Sequence, residues 1–162
     1  AIFNYNGTIA QTVRLISSIN YPNLHLNNTN ASGATLSAAV SAANVTGNLR
    51  VQSGILNNGG FAIVGAAADT FEVAAGARFN LTGTSTMAAV SGGGTRTFLA
   101  NSTVTYGGAA QTVTAETYGN LVLGGSGVKT MPAALITTAN DFTISGTASV
   151  TAAAALTVGV LA

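Results

Sequence analysis

The sequence predicts an all-β protein, a parallel β-solenoid (β-helix) of diverged repeats, and three observations predict it. Apolar residues alternate with polar ones at a period of two along most of the chain. Turn signals rich in Gly and Asn separate the alternating runs. One unit occurs twice. Its first copy reads Tyr5-Asn6-Gly7, then Gln11-Thr12-Val13, then Tyr21-Pro22-Asn23-Leu24-His25-Leu26. Its second reads Tyr106-Gly107-Gly108, then Gln111-Thr112-Val113, then Tyr118-Gly119-Asn120-Leu121-Val122-Leu123. An internal repeat of short strands points to a stacked array.

In chain order, Phe3 and Tyr5 share one face of a first strand, with Ile2, Asn4 and Asn6 on the other. Leu24 and Leu26 alternate with Asn23, His25 and Asn27. Leu49 and Val51 alternate with Asn48, Arg50 and Gln52. The pairs Phe61/Ile63, Phe71/Val73 and Phe79/Leu81 follow. Val104 and Tyr106 alternate with Thr103 and Thr105, and Leu121/Leu123, Phe142/Ile144 and Leu156/Val158 complete the series. Between these runs stand residues 57–60, Gly83, residues 92–94, Gly107-Gly108, Gly124-Gly125 and Gly146, all turn formers. Helix is disfavoured because Gly and β-branched residues are spread throughout, and residues 35–43 are the best short-helix segment. Two folds accommodate the pattern: a parallel solenoid with a coil every ~20 residues, or an antiparallel β-sandwich with turns every ~8–12 residues. Interior positions of modest size and Thr or Asn positions able to form ladders favour the solenoid. Coils ~4.8 Å apart would then build a rod of roughly 30–40 Å. The chain reads as a single repetitive β domain over 1–162, with copies at about 1–65 and 102–162 and a bridging segment 66–101. It is expected to be part of a longer polypeptide or a subunit of a larger assembly.

Composition narrows the function classes. At 162 residues the chain can bury a real core. Charged residues are 6% of it, against about 25% in ordinary soluble domains. Disorder is excluded by a hydrophobic share of 48% with a net charge of +1. So little net charge favours self-association over repulsion. Without cysteine there are no disulfides and no thiolate metal sites. Nucleic acid is not an expected partner, because no basic stripe exists to neutralise phosphates. No apolar run is long enough for a transmembrane helix.

Few residues suggest chemistry. His25 is the sole histidine and should face outward, without partners for a relay or a metal. Asp69, Glu72 and Arg78 are the densest charge group, but Asp69 and Glu72, three apart, face opposite sides of a strand. Glu116 and Asp141 are the carboxylates a polysaccharide-degrading enzyme would have to bring together. The Gly-rich runs 92–96 and 124–130 lack phosphate-loop spacing. No cofactor or metal site is expected, and no enzyme. Glycosylation sequons begin at Asn6, Asn27, Asn30, Asn44, Asn80 and Asn101. The pairs Thr103/Thr105 and Thr112/Thr114 are candidates for a flat hydroxyl face that binds carbohydrate or ice. Phe3 and Tyr5 at one end, with Leu156, Val158, Val160 and Leu161 at the other, are candidate subunit contacts. An eight-stranded outer-membrane barrel fits the length but lacks Trp for aromatic girdles.

Tyr106, Gln111-Thr112-Val113, the run 118–130 and Asp141-Phe142-Thr143-Ile144-Ser145 together resemble repeats of large bacterial surface and extracellular proteins. Those repeats are adhesin-like, rich in Gly, Thr and Asn, and β-solenoid. The resemblance is best over 102–158 and weaker over 1–65, where residues 16–20 look inserted and residues 30–35 replace the Gly-Ser-Gly-x-Lys-Thr element. It implies an extracellular or cell-surface location and a structural role, as a self-associating filament subunit or an adhesin stalk repeat. The implied partners are further copies or neighbouring repeats. A glycan- or ice-binding module is the alternative.

Overall fold

A computed structural model describes residues 1–65, 69–84, 87, 89–90, 94–134 and 136–152. The protein is a parallel β-solenoid of about 6 turns, with no helix among the described residues. One column of strands comprises β1 (Phe3–Gly7), β3 (Leu24–Asn28), the first half of β5 (Leu49–Asn57), β7 (Thr70–Val73) and β10 (Thr95–Phe98). A second comprises β2 (Gln11–Val13), β4 (Ala34–Leu36), the second half of β5, β8 (Arg78–Leu81), β11 (Thr103–Tyr106), β14 (Asn120–Leu123) and β17 (Phe142–Ile144). A third stacks β12 (Gln111–Thr112), β15 (Val128–Met131) and β18 (Ser149–Ala152). Two short pairs join β6 (Val64–Gly65) to β9 (Ala89–Val90) and β13 (Thr117–Tyr118) to β16 (Thr137–Thr138).

Every strand pair described is parallel, which overturns the sandwich and the barrel, both antiparallel. The physical reason lies in the register. Val104 pairs with Phe79 before it and Leu121 after it, each about one coil away in sequence, so sequence neighbours fall in different columns. Leu56, Phe79, Val104 and Leu121 thereby stack as one continuous buried column. Each such side chain contributes about 1.5–3 kcal/mol by leaving water. Beside them Phe71 meets Phe79 edge-on at 4.9 Å, and Phe98 stacks on Tyr118 at 5.3 Å.

At one corner the coils approach too closely for a side chain. Gly125 has φ +70, and a Cβ there would overlap the Gly107 and Gly108 carbonyl oxygens of the coil before. Only glycine meets both demands.

Three local expectations need correction. Residues 35–43 hold no helix: Ala34–Leu36 is β4 and Val40 bridges to Ile63. Leu36 and Val40 face the core while Ala39, Ala42 and Ala43 are exposed, and the ladder overrides helix propensity. Phe61 does not alternate into the core but is exposed, because Gly59 and Gly60 turn the chain with φ of 63 and 83 just before it. Ile144 is half-exposed, pairing with Leu123 on one side only.

Candidate functional site

The repeated unit builds the same polar device twice. Tyr106 lies on β11, one coil before Leu123, and Tyr118 lies on β13. Their hydroxyls meet at 3.2 Å. The Thr114 N–H donates to Tyr106 Oη at 3.1 Å, and Tyr118 Oη donates to Thr114 O at 2.7 Å. In the first copy Tyr5 and Tyr21 hydroxyls meet at 2.9 Å. The Arg14 N–H donates to Tyr5 Oη at 3.2 Å, and Tyr21 Oη donates to Arg14 O at 2.8 Å. The residue after Gln-Thr-Val is thus clamped through its backbone, so its side chain is free to vary between Arg and Thr. Burial, then the bond to Tyr5, pushes the Tyr21 phenol up to about 12. Burial, then the charge of Tyr106, pushes Tyr118 well above the ordinary phenol range.

Gln of the same motif forms the corner. Gln111 Oε1 accepts from the Gly108 N–H at 2.9 Å and from Lys129 Nζ at 3.0 Å. Lys129 is fully buried, and its ammonium also donates to the carbonyls of Gly108 at 2.8 Å, Ser126 at 3.2 Å and Ala109. These oxygens take every donor the ammonium has. Desolvation lowers the Lys129 pKa from its ordinary value. In the first copy Asn28 takes this place, donating to Gln11 Oε1 at 2.7 Å and to Ile9 O at 2.8 Å. An amide and an ammonium therefore fill equivalent corners.

Two ion pairs link neighbouring coils. Arg50 meets Glu72 at 2.7 Å on neighbouring strands, and Arg96 meets Glu116. His25 stands one rung from Arg50, half-buried with its ring directed away from the core. Glu116 and Asp141 do not converge. Glu116 is held by Arg96, whereas Asp141 borders β17 on the outer face of the second column. Among the described residues no cluster of His, Cys, Asp or Glu suits a metal ion. No helix of the described chain is long and apolar enough to cross a membrane.

The structure separates the two threonine pairs. Thr103 and Thr105 face outward on β11, where they line a groove of about 670 Å³ with Arg78, Asn80, Asn120 and Asp141. Thr112 lies on β12 in a different column, and Thr114 has left the strand to serve the tyrosine clamp. The four therefore do not make one flat array. Phe3 and Tyr5 border an open cavity of about 660 Å³ at the first coil, with Ile19 and Tyr21. Leu156, Val158, Val160 and Leu161 lie outside the described residues. Reading the sequence by strands missed Asn80 and Asn120 as groove residues and Lys129 as a buried one. The signal for the first two was available: they occupy outward positions of strands flanking Thr103 and Thr105. No family model matches the chain, and no curated protein or solved structure matches it.

Proposed function

We propose that the chain is a structural module of an extracellular or cell-surface rod, extended by stacking a further β-coil of its own kind on β1. One observation carries the reading: among the described strands, β11 of the second copy is paired on both sides and β1 of the first on one. In the second copy, Thr103 N–H donates to Ala77 O at 2.9 Å and Gly107 N–H to Leu81 O at 2.8 Å, so β11 is paired with β8 on one side and β14 on the other. In the first, β1 pairs with β3 alone among the described strands. Phe3 N–H donates to Asn23 O, so the alternating amides of Asn4 and Asn6 face the open side. Asn6 is the counterpart of Gly107 in the repeat. An unpaired parallel edge is a template for another strand.

The surroundings suit such a partner. Ile2, Phe3, Ile9 and Ile16 are exposed around this end, and the net charge of +1 opposes no stacking. The partner coil belongs either to a second copy, in a filament, or to a neighbouring repeat of one polypeptide, in an adhesin-type stalk. The resemblance to bacterial surface repeats supports both forms.

Electron microscopy of the purified chain at neutral pH tests it, with light scattering across concentrations. Ordered filaments with an axial repeat near the rod length, abolished by Phe3→Lys with Ile9→Lys, support the filament form. Dispersed monomers at every concentration contradict it and leave the stalk form.

A further inference from the structure

The groove on the outer face of β8, β11, β14 and β17 has a built-in order. Arg78, Thr103 and Asn120 stack in register on successive strands, and Asn80, Thr105, Val122 and Thr143 form the column beside them. Asp141 closes the far end, its N–H on Asn120 Oδ1 at 3.3 Å. We propose that this groove binds an uncharged oligosaccharide lying along the rod axis.

The hydrogen bonds divide the lining into frame and contact groups. The Asn120 amide is spent on the frame, donating at 2.9 Å to Ser102 O. Asn80 Nδ2 is likewise spent on Asn57 Oδ1 at 2.9 Å. These bonds tie adjacent coils and fix the floor before any ligand arrives, which removes an ordering cost from binding. By contrast, the Arg78 guanidinium, the Asp141 carboxylate and the Thr105 hydroxyl make no hydrogen bond or ion pair among the described residues. They present a donor-only group, an acceptor-only group and a group that is both. That mixture matches sugar hydroxyls, each of which donates and accepts.

Charge selects the ligand class. The groove holds one cation and one anion, at its two ends, about 14 Å apart by three strand spacings of ~4.8 Å. A polyanion would gain Arg78 and be repelled by Asp141, whereas a neutral chain of rings can use both. At the groove's lip Asn101, with φ 65, is the sole non-glycine residue of positive φ among those described, and its carbonyl accepts the Gly76 N–H at 3.0 Å. Gly76 leaves the ridge there free of a side chain.

The test is an NMR titration of the labelled chain with cellotetraose, chitotetraose, maltotetraose and mannotetraose, and with a heparin oligosaccharide for contrast. At least one neutral tetrasaccharide should shift the amides of Thr103, Thr105 and Asn120 saturably. Arg78→Ala and Thr105→Val should each weaken it about ten-fold, a single lost hydrogen bond to a charged or buried partner. Thr35→Val, in the same column but outside the groove, should leave it unchanged. Amide spectra of the variants confirm that each still folds. The proposal is overturned if no neutral tetrasaccharide shifts these amides at millimolar concentration, if the shifts map to another face, or if heparin binds preferentially and Thr105→Val does not weaken it.

Discussion

Tyr5–Tyr21 and Tyr106–Tyr118 make one hydrogen-bond pattern in two settings. The second pair is wholly buried between coils; in the first, Tyr5 remains partly exposed beside an open cavity. The wiring is therefore a property of the repeat, and burial a property of its neighbours. The corner says the same. Gln11 and Gln111 both accept a donor from the following coil, Asn28 in one copy and Lys129 in the other. A repeat that satisfies its own buried polar groups can be stacked without matching side chains to each neighbour, which suits a modular rod.

The comparison can be broken by degrees. The largest effect should come from Tyr118→Ala, which empties a ring-sized space under Phe98 and should cost about 3–5 kcal/mol in urea unfolding. Alkaline titration comes next. A phenol held protonated by the fold stabilises it fully below its unfolded pKa, and this contribution is lost as pH rises through the folded value. The contribution of Tyr21 should thus be lost between about pH 10 and its folded pKa of about 12, with the phenolate absorbance of Tyr118 appearing only on unfolding. Lys129→Met leaves carbonyls of Gly108, Ala109 and Ser126 without that donor and should cost about 1.5–3 kcal/mol. The smallest contrast is the sharpest. Tyr106→Phe takes the acceptor from the Thr114 N–H in the buried pair and should cost about 1 kcal/mol, while its counterpart Tyr5→Phe at the open end should stay within about 0.5 kcal/mol. Equal losses from the two would mean that both ends are equally enclosed.

Much of the fold was legible because strand period and burial coincide. Leu24, Leu26, Val104 and Leu121 alternate with polar residues and are fully buried. Parallel stacking rested on the repeat and on side-chain size, since alternation alone is the same in a sandwich. The tyrosine clamp was not legible. Tyr106 and Tyr118 are twelve residues apart, and their hydroxyls meet only because the corner at Gln111 folds the chain back. Lys129 was hidden for a different reason: a lone cation reads as solvated, and the oxygens that hold it are mostly backbone, which sequence does not display. The groove was half-legible. Thr103 and Thr105 stood out by type, while Arg78 and Asn120 join them only through register.

The most direct test of the open edge is amide hydrogen exchange at single-residue resolution, in the dilute chain and in its concentrated, assembled form. Asn4 and Asn6 on β1 should exchange fast when dilute and slow on assembly to the rates of their counterparts Thr105 and Gly107. Exchange at Asn4 and Asn6 that stays fast in the assembled form would contradict the account. So would exchange as slow as that of Thr105 and Gly107 already in the dilute monomer.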